Sequence, residues 1–287
     1  MRTFSTDSRL RAVYLFILVM TLFTGLIPGG FISYSLSYIP FFTENRAGLF
    51  ISAFTEHIVM LLTLELFLRK LFGESVVTFV CKEEKNAGRF ILIVLLTIVI
   101  YTFSALITAK DNVVNSVDSA GMKILFLLLS AVFFLPQTLL EEALFRAVPE
   151  RIWSPQGEDR KPEEKLLLAL ICGILFILPH LYNVEVTSFY PLIPIITYFL
   201  WGFLSSLLGQ RERSYLSVWA MHYANNIFSV TAVGMKGTTV SGAPLFYTEN
   251  TSFSPLLPAT ISLLFLVVYL LDRRADKRKD TNEAEPY

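Results

Sequence analysis

The chain has 287 residues, of which 54% are hydrophobic and only 17% charged, with zero formal net charge and a mean hydropathy of +0.56. Soluble domains carry charge on roughly 25% of their residues, so this chain is too poor in charge to cover a water-facing surface. The same arithmetic excludes a disordered chain, a coiled coil and a secreted disulfide scaffold. The neutral balance gives no pointer to nucleic acid, and the two cysteines, Cys81 and Cys172, form no CxxC pair. A polytopic membrane protein remains.

A bilayer core of ~30 Å takes about 20 apolar residues of helix. In chain order the apolar stretches are Ala12–Ser35, Leu49–Leu68, Phe90–Ala109, Met122–Val148, Leu166–Leu181, Thr187–Leu208, Tyr215–Gly234 and Leu256–Leu271. The first follows Arg2, Arg9 and Arg11 without a clear small-residue cleavage site, so it reads as a membrane helix that stays. With a cytoplasmic N-terminus, nineteen Lys and Arg fall on the cytoplasmic side. Only Arg46, Lys110, Lys123 and Lys236 fall opposite, and Arg146 lies within the fourth stretch. That asymmetry is what the positive-inside rule requires. The expected architecture is all-α: eight transmembrane helices around an intramembrane polar cavity, with both termini cytoplasmic. Residues 1–272 would form one transmembrane domain, and 273–287 a charged, disordered cytoplasmic tail.

Ionisable side chains inside lipid cost at least ~2.5–3.5 kcal/mol each on insertion scales, which makes them functional candidates by default. The fourth stretch ends in LLEEALFRAVPERI, with Glu141, Glu142 and Arg146. The fifth carries FILPH, with Phe176 and His180, and the seventh carries HYANN, with His222, Asn225 and Asn226. At ~1.5 Å rise per residue, Glu141 lies ~15 Å above Arg151 and His180 ~22 Å above Lys165. His222 and Asn226 lie ~14 and ~20 Å above Arg213. Polar groups from three helices thus fall near one level, which suggests a single site.

Spacing refines the roles. Glu142 and Arg146 are four apart and share a helix face, as do His222 and Asn226. Glu141 is rotated ~100° from Glu142 and is free to face a cavity. A carboxylate with an imidazole can hold and deprotonate water. A second imidazole and an amide can donate hydrogen bonds to the oxyanion that forms when water attacks a carbonyl. No serine or cysteine is obviously paired with these groups, so a covalent intermediate ranks lower.

The three stretches, EEALFR from Glu141 to Arg146, FILPH from Phe176 to His180 and HYANN from His222 to Asn226, resemble the CPBP (Abi) family of glutamate-type intramembrane proteases, which process CAAX tails and bacteriocins. Its pattern is EExxxR, FxxxH, then HxxxN or HxxxD, on successive membrane helices. Ala147 and Pro179 depart from it, standing where a glycine often follows the arginine and a small residue often precedes the histidine. The resemblance implies an eight-helix bundle and an endopeptidase without metal or other cofactor. Glu141 would be the general base and His180 would orient the water. His222 and Asn226 would stabilise the oxyanion, with Glu142, Arg146 and Phe176 in support. It further implies a peptide or protein substrate, lipidated or not, membrane lipid as the surroundings and no role for nucleic acid, while the short N-terminus without a targeting signal suggests a prokaryotic plasma membrane.

Two readings from other classes use the same residues. Glu141, His180 and His222 are plausible zinc donors for a metal-binding membrane protein, although HExxH is absent. A scaffold without catalysis would keep the polar network for stability. Glu56 and His57 in the second stretch receive no role, and Glu65 with Arg69 reads as a snorkelling pair near a helix end.

Overall fold

Charge-poor segments separated by polar turns fold as helices here because lipid offers no hydrogen-bond partners, so each segment must satisfy its own backbone. The computed structural model describes residues 6–82, 86–108, 113–155, 160–187, 191–235, 242–248 and 256–283. Among these are eight long helices: α1 Thr6–Thr24, α2 Thr55–Phe72, α3 Ala87–Thr108, α4 Ala120–Glu142, α5 Pro162–Ile177, α6 Leu192–Glu212, α7 Leu216–Thr231 and α8 Leu257–Glu283. Arg2, Lys85, Lys110 and Lys236 of the charge argument lie outside the described residues, as do Ala109 at the expected end of the third span and 284–287 of the expected tail.

Five helical stretches are long and apolar enough to cross a membrane: Asp7–Leu36, Arg46–Phe72, Ala87–Ile107, Ala120–Trp153 and Leu192–Glu212. They contain α1, α2, α3, α4 and α6. Helices α5 and α7 have 16 residues each, or ~24 Å of rise, and α8 joins an apolar half to a charged one. The protein is therefore a mostly helical integral membrane protein.

One expectation needs correction. The fold is not purely α: three short strands, β1 Val113–Asn115, β2 Val233–Met235 and β3 Phe246–Thr248, form a sheet in the order β1-β3-β2. β1 pairs antiparallel with β3 through Val114↔Tyr247, and β2 pairs parallel with β3 through Gly234↔Tyr247. Valine, phenylalanine and tyrosine favour extended pairing, and three such triplets meet where connecting loops converge at one end of the bundle. Accordingly α7 stops at Thr231, short of the expected Gly234. Helix α8 runs from Leu257 on to Glu283. The Arg, Lys and Ala of that segment are good helix formers even without an apolar face.

Prolines break the regular helices beside the polar residues. After Glu142, α4 widens into a π-turn, Ala143–Ala147, before Val148–Trp153 resumes the α form. Pro149 cannot send an N–H back to the Phe145 carbonyl and its ring crowds that group, so the wider turn relieves the contact. Pro179 acts likewise on α5, which tightens into the 3-10 turn Leu178–His180.

Close packing sets the distances between the motif-bearing helices. A Cβ on Gly202 of α6 would stand 2.7 Å from the Cys172 carbonyl oxygen and 2.9 Å from the Gly173 Cα. Paired glycines therefore let α5 and α6 approach backbone to backbone, the usual device for helices that lack a hydrophobic drive to associate in lipid. Helix α7 packs on both α3 and α4. Leu140, Leu144, Phe176, Trp201, Met221 and Phe265 belong to the main buried cluster around that junction.

Candidate active site

The last turns of α4 point a row of polar side chains into this junction. Glu141 is 9% exposed, and Glu142 and Arg146 are fully buried. Glu142 Oε1 accepts from Arg146 Nη1 at 3.1 Å and from His222 Nδ1 of α7 at 2.7 Å. A carboxylate oxygen only accepts, so His222 Nδ1 carries a proton. That bond turns His222 Nε2 toward the other carboxylate, 3.5 Å from Glu141 Oε2. The two adjacent glutamates thus face opposite nitrogens of one imidazole.

Glu141 is also held from its own helix. Gln137, one turn earlier, donates Nε2 to Glu141 Oε1 in a short contact, while its Oε1 accepts from Asn226 Nδ2 at 3.2 Å. Asn225 Nδ2 in turn donates to Asn226 Oδ1 at 3.0 Å. A relay of amides therefore runs from α7 to the carboxylate of α4.

Phe176 is the floor under Arg146. The guanidinium carbon sits 4.1 Å from its ring centroid, while Arg146 Nε and Nη2 have no hydrogen-bond partner among the described residues. The ring face supplies electrostatic compensation that no oxygen provides there. His222 also meets Phe176 edge-on at 5.7 Å and Trp201 of α6 at 5.6 Å.

His180 packs against Phe176, 4.7 Å between ring centroids, and stacks on Tyr198 of α6 at 4.1 Å. Its Nδ1 is 2.7 Å from the Phe176 carbonyl oxygen. That oxygen accepts, so the neutral ring carries its proton on Nδ1 and offers Nε2 as an acceptor. Glu141, Glu142, Arg146, Phe176 and His222 come together directly, Asn226 joins through Gln137, and His180 packs on the Phe176 ring. Among the described residues, no group of three or more His, Cys, Asp or Glu side chains is arranged to hold a metal ion, so the zinc set Glu141, His180 and His222 does not assemble.

Two further residues belong to this site. Gln137 stands four residues before Glu141 on the same helical face, a spacing that could have revealed it. His57, in the first turn of α2, places Nε2 4.0 Å from Glu141 Oε1. Its neighbour Glu56 points elsewhere, against Gly29 and Gly30 in the first span. No periodicity within α2 announces an approach to α4, so His57 was identifiable only as an unusual intramembrane polar residue.

Comparison with known proteins bears on the same segment. The family model Rce1-like, described as type II CAAX prenyl endopeptidase Rce1-like, matches residues 123–228. No curated protein and no solved structure matches the chain. The matched stretch contains all three motifs and the site residues from Gln137 to Asn226, whereas His57 lies outside it. Residues 123–228 are thus similar to the type II CAAX prenyl endopeptidase family, and the chain carries helices long and apolar enough to cross a membrane.

Proposed function

We propose that the protein is a glutamate-type intramembrane endopeptidase that cuts a peptide bond near the C-terminal tail of a peptide or protein. The observation that carries this reading is the buried Glu141 carboxylate, held by Gln137 and facing His222 Nε2 at 3.5 Å, within the segment that matches a protease family. The family description points to a prenylated tail as substrate. Eight spans, with α5, α7 and the apolar half of α8 as the three shorter ones and both termini cytoplasmic, would set Glu141 below the bilayer midplane. Residues 1–272 would form the membrane-embedded unit. The charge asymmetry supports that orientation, and a prokaryotic plasma membrane is the proposed location.

In this mechanism Glu141 takes a proton from a water as its oxygen bonds to the scissile carbonyl carbon. His180 Nε2, an acceptor because Nδ1 is committed to the Phe176 carbonyl, orients that water. The oxyanion is stabilised by His222 Nε2–H and by the second hydrogen of Asn226 Nδ2, the first being used by Gln137. With His222 carrying both protons, Glu141, Glu142, Arg146 and His222 sum to zero formal charge, which suits a site within lipid. The C–N bond then breaks, and the proton taken from water ends on the leaving amine. No metal or other cofactor takes part in these steps.

The test is to purify wild type and Glu141→Gln, verify equal folding, and incubate both with farnesylated and unmodified peptides bearing a CAAX tail. Mass spectrometry should find cuts with the wild type and none with the variant, a loss of at least ~10²-fold as for a general base. Equal cutting by both proteins would refute the mechanism. Cutting of farnesylated peptides alone would define the substrate class.

A further inference from the structure

The reading above uses two of the chain's three histidines, yet the third faces the same carboxylate. His57 Nε2 and Glu141 Oε1 are 4.0 Å apart. His222 Nε2 approaches the opposite oxygen, Oε2, so each oxygen of Glu141 meets a different imidazole. His57 also lines a cleft between α2 and α4, together with Phe54, Ile58, Phe133, Pro136 and Gln137. Apart from His57 and Gln137, the walls of this cleft are apolar or aromatic.

The state of the ring sets His57 apart from the other two. His222 Nδ1 is pinned by Glu142 and His180 Nδ1 faces the Phe176 carbonyl, so each has its tautomer chosen by a neighbour. His57 Nδ1 is buried and has no hydrogen-bond partner among the described residues. A ring with neither nitrogen committed can accept a proton at Nε2 and release it from the same atom without breaking another bond. The side chain is one-third exposed (33%), which leaves it room to swing. A distance of 4.0 Å needs only about 1 Å of movement, or one bridging water, to become a hydrogen bond. Catalytic contacts are commonly this loose before substrate arrives.

We propose that His57 is a catalytic residue of the same site, the group that delivers the proton to the leaving amine; this rests on the endopeptidase reading with Glu141 as base. Water gives one proton to Glu141 while its oxygen bonds to the carbonyl carbon. That proton passes from Glu141 Oε1 to His57 Nε2, and from there to the amide nitrogen as the C–N bond breaks. Both side chains return to their starting state, and the products are a carboxylic acid and an amine. His222 stays with the oxyanion, and the roles of the two imidazoles divide along the two oxygens of Glu141.

An amine cannot leave without a proton, whereas a thiolate can, because a thiol's ordinary pKa is about 8.5. The test compares a farnesylated CAAX peptide with its thioester analogue, in which sulfur replaces the scissile N–H. Wild type, His57→Gln and Glu141→Gln are assayed as full-length chains in detergent or liposomes. With His57→Gln, kcat/KM on the amide should fall about 10²-fold or more, while the thioester changes less than about 3-fold, a small step beside that range. Retained thioester cleavage also certifies that the variant is folded. Glu141→Gln should lose both activities, since both need the water. Equal losses of amide and thioester cleavage in His57→Gln, or no loss at all, would overturn the assignment. If Glu141→Gln kept both activities, the underlying mechanism would fail instead, a distinct result.

Discussion

Glu142 accepts from two donors, Arg146 and His222, through one oxygen, and so fixes the ring that faces Glu141. Next to it, Gln137 holds Glu141 by one end of its amide and Asn226 by the other. Gln137 holds Glu141 and Asn226 but contacts no substrate atom in the proposed mechanism, which makes it a positioning residue. Gln137→Ala should lower kcat on a cleavable peptide by ~10²-fold, the cost of misplacing a catalytic group by about 1 Å. KM should change little, because the peptide-binding surface is otherwise intact. Steady-state kinetics check this, and a rise in KM with unchanged kcat would mean that Gln137 contacts substrate. Buried Arg146 follows a related logic: with two of its nitrogens lacking acceptors, it leans on the Phe176 ring at 4.1 Å.

Among the elements, the α5–α6 pair decides where Phe176 and Tyr198 stand. Their approach depends on Gly202, whose added Cβ would meet the Cys172 carbonyl at 2.7 Å, and the Phe176 Cβ at the same distance. A backbone carbonyl cannot rotate away as a flexible side chain can. Gly202→Val should therefore destabilise the protein by about 1–3 kcal/mol, as overpacking does, and reduce activity by moving Phe176 from beneath Arg146. Thermal unfolding in detergent, read beside the cleavage rate, tests both effects. An unchanged melting temperature would show that the helices can separate without cost. The π-turn Ala143–Ala147 belongs to the same scale: it lies between Glu142 and Pro149 and changes the angular offset of everything beyond Glu142.

At the level of the whole molecule, the small sheet and the helices are tied at one end by Arg46. Its Nη1 donates to Asp118 Oδ1 at 2.5 Å, its Nη2 donates to Asp118 Oδ2 at 3.4 Å, and Nη2 also donates to the Gly242 carbonyl in a short contact. Asp118 further accepts from Ser116 Oγ at 3.0 Å. The Arg46 guanidinium holds the Asp118 carboxyl below its ordinary pKa, burial opposing it and Ser116 adding to it. A lowered folded-state pKa means that the ionised form stabilises the fold. The contribution is present above the ordinary carboxylate pKa of about 3.9 and is lost as pH falls through the lower folded value. Wild type should therefore lose stability on acidification below about pH 4 more steeply than Asp118→Asn. Unfolding midpoints of the two proteins across that range measure the difference, and parallel curves would refute it.

The sequence by itself determined the solvent and the chemistry. Charge-poor stretches of about 20 residues can satisfy their backbones only as helices, and Glu141, Glu142, Arg146, His222 and Asn226 stood out because ionisable and amide groups are costly in lipid. Helical spacing within one segment correctly paired Glu142 with Arg146, since that pairing is local. What needed tertiary structure was every relation between segments. Helix crossing placed His57 beside Glu141 across most of the distance from α2 to α4 in the chain, a contact with no period to betray it. It seated Arg146 on the Phe176 ring and stacked His180 on Tyr198 of a neighbouring helix. The sheet, too, arose from strands more than a hundred residues apart, each too short to form alone. Local propensity is written in consecutive residues, whereas these contacts depend on how side-chain shapes and glycine gaps let separate helices meet.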